Sequence, residues 1–250
     1  MDVIASFVHG FSLSKDLIED KELIQQVIGT SVDIILEFKN REIYDAFSLQ
    51  LINADVFNIL IRTILENEIE RPDFKNIARI FELCACHTEG ICILANHLDQ
   101  IVYNCSRFMQ PENDMVTIKY PASTVLLDLT ANEQCIEKVA KLIRKYDILA
   151  VVIQELELAF SRRSPKTGQQ KVYYSRFRDL MIGIVLNLTC NVENEEVVQY
   201  MLKQNVVRML RKILVDPRHD WPTNGAALAI LQYCHNALSD TDLFLMLEEN

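Results

Sequence analysis

A four-residue pattern that returns at a nearly fixed interval constrains this chain more than any other feature. Two apolar residues, a polar residue and another apolar one form Ile35-Leu36-Glu37-Phe38, Ile80-Phe81-Glu82-Leu83 and Leu126-Leu127-Asp128-Leu129. The pattern returns as Val185-Leu186-Asn187-Leu188 and Ile230-Leu231-Gln232-Tyr233. Between the polar residues the intervals are 45, 46, 59 and 45. Such a period marks stacked units, each too small to bury its apolar face alone. The long interval exceeds 45 by 14 residues and contains a basic insertion at 161–175.

A second landmark keeps the same register. Leu51-Ile52, Leu142-Ile143, Met201-Leu202 and Met246-Leu247 each begin 14 residues after a polar anchor and precede a polar turn. The second repeat departs, with Ile93-Leu94 three residues early. The segments between landmarks have helical periodicity. Val197, Val198, Met201 and Leu202 fall on one face, as do Val206, Val207, Leu210, Ile213 and Leu214. Pro72, Pro121 and Pro222 precede anchors by seven to ten residues, where a helix can begin. Only MVTIKY at 115–120 alternates as a strand would, and it is short. Each unit reads as three helices: a short one, a middle one and a longer one carrying the anchor.

This layout resembles the armadillo repeat, with the related HEAT repeat second. VLNLTCN and LLDLTAN look like the armadillo third helix running into the next repeat. The resemblance covers roughly residues 30–250 and implies an all-α, right-handed superhelical solenoid of about five repeats. The whole chain then forms one repeat domain. Its parts are a cap or first repeat at 1–40, repeats at 41–87, 88–132, 133–191 and 192–237, and a partial repeat at 238–250. Two features depart from the family. The glycine between first and second helices is replaced by Asp55, Tyr146 and Asn205, and tyrosine tolerates a left-handed turn poorly. The tryptophan one turn before the anchor is replaced by Asp33, Ala78, Thr124, Gly183 and Leu228.

In armadillo proteins the polar position of the third helix faces the concave groove, where it grips a bound peptide. The resemblance therefore implies a ladder of Glu37, Glu82, Asp128, Asn187 and Gln232, whose three carboxylates favour a basic partner segment. Solvent exposure alone also explains a polar residue at these positions. The insertion, with Arg162, Arg163, Lys166 and Lys171, reads either as a solvated loop or as a docking element.

Charge narrows the partner class. Net charge is −10, and residues 161–178 hold six of the 25 Lys and Arg with no acid. The remainder sets 19 bases against 35 acids, which disfavours nucleic acid as main ligand and anionic membranes. The start, MDVIASFVHGFSLSKD, lacks the basic head and cleavage site of a signal peptide, and the seven cysteines are an odd number. Both point to a cytoplasmic chain, with the nucleus also open to it. Cys84, Cys86, His87 and Cys92 match no zinc spacing, and the sequons at Asn104 and Asn187 fall in helical patterns. Phosphate loops, paired-histidine metal motifs and nucleophile elbows are absent from the sequence, so neither catalysis nor a cofactor is expected.

The expected function is a non-catalytic scaffold or adaptor that holds a peptide or helix. Two other roles suit the same layout: regulation of another enzyme, such as chaperone nucleotide exchange, and self-association. Residues 239–250 align with the first helix of a repeat, 194–205. The end is therefore expected to be covered by further chain, a partner or a second copy.

Overall fold

The computed structural model describes residues 46, 48–50, 52–53, 56–66, 69, 74–161, 168–191, 199–200, 203, 206–215, 225, 227 and 230. Among them there is no strand. The chain divides into two compact units, Met1–Phe108 and Met109–Asn250.

The first unit contains α1 (Val56–Glu66), α2 (Phe74–Ala85), α3 (Thr88–Ala95) and α4 (Leu98–Phe108). In α2, Phe74, Ile77, Ala78 and Phe81 repeat at helical spacing and are all buried, and Ile80, Leu83 and Cys84 widen the buried stripe. Phe74 stacks on Phe108 with ring centroids 4.1 Å apart. Each fully buried ring contributes about 1.5–3 kcal/mol, and the stacked geometry adds about 0.5–1.5 kcal/mol. The Arg107 guanidinium lies over the Phe108 ring and donates to the Ile69 carbonyl at 3.1 Å. Between α2 and α3 the chain turns in two residues, and a Cβ on buried Gly90 would collide with the Cys84 carbonyl. Only glycine lets α3 start this close to the end of α2.

The second unit opens with a wide turn at Met115–Lys119, followed by α5 (Tyr120–Ala131). Then come α6 (Ile136–Lys145), α7 (Ile148–Ser161), α8 (Gly168–Asn191) and α9 (Val206–Val215). The segment that alternates as a strand would is therefore helical. The Asp114 carboxylate accepts from both the Thr117 N–H and the Thr117 hydroxyl at 2.8 Å, capping the turn. The Lys119 N–H reaches back five residues to the Asp114 carbonyl at 3.0 Å, which widens the first turn. Pro121 then sits near the start of α5, where its missing N–H costs nothing.

The short, middle and long order expected of each repeat is visible twice along the chain. α3, α4 and α5 have 8, 11 and 12 residues; α6, α7 and α8 have 10, 14 and 24. The α6–α7 turn corrects one expectation. Tyr146 keeps a negative φ of −98°, and the left-handed residue is Asp147 at φ 51°. The turn thus shifts one position onto a side chain that tolerates this conformation. Tyr200 donates its hydroxyl to the Asp147 carboxylate, tying that turn to a later helical segment. Burial, and then this carboxylate, push the Tyr200 phenol above its ordinary range.

The basic insertion is also corrected. Ser161 closes α7 and residues 168–175 belong to α8, so the expected loop over 161–175 is in large part helix. Arg162, Arg163 and Lys166 lie outside the described residues. No helix among the described residues is long and apolar enough to cross a membrane.

Candidate partner-binding face

The anchor pattern acquires physical meaning on the third helices. Ile80, Leu126, Val185 and Ile230 are buried, and so are Leu83, Leu129 and Leu188 three residues after the first three of these. The spacing sets one side of each helix into the core. The polar residues Glu82, Asp128 and Asn187 are half-buried at the edge of that side. Glu37 and Gln232 lie outside the described residues.

Asp128 and Asn187 belong to α5 and α8, which pack side by side in the most extensive helix pairing among the described elements. Gly183 makes close approach possible. A Cβ there would stand 2.8 Å from Leu127 Cδ1, so the Leu127 side chain rests against bare backbone. One turn on, Asn187 Nδ2 lies 3.3 Å from Thr130 Oγ1 and 3.5 Å from the Leu127 carbonyl. The structure thus sets Asn187 against the turn of α5 that carries Asp128. Thr124, Leu127, Leu180 and Leu186 are half-buried on the same two helices. The two helices thus carry partly exposed leucines together with an amide and a carboxylate. The distances at Asn187 are long for hydrogen bonds, so exchange for a ligand's carbonyl costs little.

Glu82, in the first unit, has a partner already. Its carboxylate pairs with Arg79 at 2.6 Å, one turn earlier on α2, with 15% of the Glu82 side chain exposed. Burial raises the Glu82 carboxyl above its usual range, opposed by the Arg79 hydrogen bond and charge. Lys171 lies within α8, on a helix rather than on the loop expected for a docking element. Of the nearby cations, Arg176 is exposed, and Arg178 pairs with its neighbour Asp179 at 2.8 Å.

One feature escaped the sequence reading. Lys119 Nζ lies 2.7 Å from Glu155 Oε1, and each side chain is only 5% exposed. The wide turn carries Lys119 into the second unit's core, where Glu155 of α7 meets it. The available signal was Lys119 closing the run MVTIK, and Glu155, with Glu157 two residues on, inside the run ILAVVIQELELAF.

The cysteine cluster divides by burial. Cys84 is buried on α2, while Cys86 and Cys92 are exposed at the turn and on α3. Burial pushes the thiols of Cys84 and Cys105 far up, which keeps both as protonated core groups. Among the described residues no three His, Cys, Asp or Glu side chains are grouped to hold a metal ion. Asn104 is buried in α4, donating its amide to the Gln100 carbonyl at 2.9 Å.

No family model matches the chain, and no curated protein does. Among solved structures, it is similar to a crystal structure described as an engineered protein, a Northeast Structural Genomics Consortium target. The similarity covers 95% of this chain and 98% of that one, with a TM-score of 0.57 and 13% sequence identity. At this identity the match speaks for the fold, and the fold is an all-helical repeat.

Proposed function

We propose that this chain is a non-catalytic scaffold that holds a protein or peptide partner across the third helices of its repeats. The observation that supports this reading is the close α5–α8 approach at Gly183, on two helices that carry half-buried Asp128, Asn187 and leucines. A mixed surface of this kind suits a partner that offers both apolar and polar groups. In the sequence period, Glu37, Glu82 and Gln232 are the positions equivalent to Asp128 and Asn187, and on this reading the carboxylates favour Lys or Arg in the partner. Cytoplasmic residence belongs to the same proposal, supported by the odd count of seven cysteines.

The test is selection of binders from a random peptide library on the full chain, followed by titration. The expected binders are enriched in Lys and Arg and lose at least about tenfold in affinity on the triple variant E37K/E82K/D128K, which adds repulsion at three positions. Unchanged affinity in a variant that circular dichroism shows to be folded would overturn the reading.

A further inference from the structure

We infer that Tyr200 is a latch on α7: its hydroxyl closes the first turn of that helix from a distant part of the chain and releases it while the second unit stays folded. Asp147 stands just before α7, where a capping side chain usually sits on extended backbone. Its φ of 51° is left-handed instead. The Asp147 carboxylate accepts a hydrogen bond from the Tyr200 hydroxyl, 53 residues further along the chain. The same phenol oxygen accepts from the backbone N–H groups of Leu149 and Ala150, in the first turn of α7.

These contacts fill the hydroxyl, which has one proton to give and two lone pairs to receive. The first N–H groups of any helix have no partner within it, and a side chain beside the helix commonly takes them. Here a tyrosine from a later segment takes them. The first turn of α7 is therefore closed while the segment carrying Tyr200 is docked, and opens when that segment lifts. α7 packs against α6, α8 and α9, so the body of the helix stays anchored as its first turn opens.

Exposure makes this contact reversible. Asp147 is exposed and Tyr200 half-buried, so water reaches the carboxylate and the helix end as soon as the hydroxyl withdraws. No polar group is stranded, and the full desolvation cost of a buried, unmatched group is avoided. The Lys119–Glu155 pair is the opposite case, because each side chain is only 5% exposed and separation leaves a charge buried. A net hydrogen bond to a charged group shifts an equilibrium by roughly ten- to hundredfold, and water in its place puts Tyr200 toward the lower end. The open form is then a minor but populated state of the folded chain, of the kind seen as local opening.

The experiment is amide hydrogen exchange on the full chain, read residue by residue by NMR at several low urea concentrations. In the parent, Leu149 and Ala150 are expected to exchange faster than Leu126, inside α5, and at a rate that low urea leaves unchanged. Tyr200→Phe keeps the ring and removes only the hydroxyl. It is expected to speed exchange at Leu149 and Ala150 by at least about tenfold. Asp147→Asn, which tolerates the same left-handed backbone and removes only the charge, is expected to fall between the two. Circular dichroism checks folding, and Asp147→Asn carries the test alone if Tyr200→Phe does not fold. Unchanged exchange at Leu149 and Ala150 in the folded variant would show that Tyr200 does not close α7. The proposal is equally overturned if these amides in the parent exchange as slowly as Leu126 and rise with urea alongside it, since the contact would then open only on global unfolding.

Discussion

Lys119 and Glu155 are the two charged residues buried in the second unit among the described residues. Removing water from both is costly, and a 2.7 Å contact offsets that cost only while both partners are present. Lys119→Met alone is expected to cost about 3–5 kcal/mol, because it strands the Glu155 carboxylate. The double variant Lys119→Met/Glu155→Leu is expected to recover most of the loss, read as the midpoint of urea unfolding. Equal loss in both variants would mean that the wide turn itself, rather than the charge, depends on Lys119. Glu82 makes a prediction of opposite kind. Its carboxyl titrates above the ordinary range, so the folded chain holds that proton more tightly than the unfolded one. The stability it adds is fully present below the ordinary carboxylate pKa and is lost as pH rises through the raised value. Relative to Glu82→Gln, the parent is expected to lose stability between about pH 4 and pH 7, and denaturant titrations at both ends check the sign.

At the level of elements, two glycines separate close approaches of different kinds. At Gly90 the obstacle is the Cys84 backbone carbonyl, which cannot move without displacing the end of α2. Gly90→Ala is therefore expected to cost about 1–3 kcal/mol or more, the range for overpacking. At Gly183 the obstacle is the far end of the Leu127 side chain, which can swing aside. Gly183→Ala is expected to stay within about 1 kcal/mol of the parent, since alanine's better helix propensity offsets the repacking. Thermal melts of the two variants, side by side, check the contrast.

The same elements show what sequence can and cannot reveal. Helix order and the buried anchors were legible because the burial of Ile80, Leu126 and Val185 repeats, and repetition separates pattern from chance. The wide turn at 115–119 was not, because its alternation suits a strand and its cap is a single aspartate, Asp114. The left-handed residue was misplaced by one, from Tyr146 to Asp147, since a turn's register depends on backbone geometry that periodicity does not carry. The length of α8 was underestimated for a related reason: Lys and Arg read as loop by charge, yet both are good helix formers. For Glu82, Asp128 and Asn187, partial exposure on the third helix was readable. The Asn187 approach to Thr130, 57 residues away, was not.

For the whole molecule, we propose that the polar anchors Glu82, Asp128 and Asn187 belong to a partner-binding surface, held in place by the buried residues beside them on the same helices. Asp128 and Asn187 are the two anchors carried by the closely packed pair α5 and α8, with Asn187 lying against the Leu127 carbonyl and the Thr130 hydroxyl. The decisive measurement is calorimetric titration of a library-selected peptide against the parent and Asp128→Lys/Asn187→Leu, with circular dichroism as the folding control. One reversed charge and one lost amide contact predict affinity at least about tenfold weaker at unchanged helicity. Equal affinity in the folded double variant would contradict the claim and make these residues ordinary solvent-facing positions.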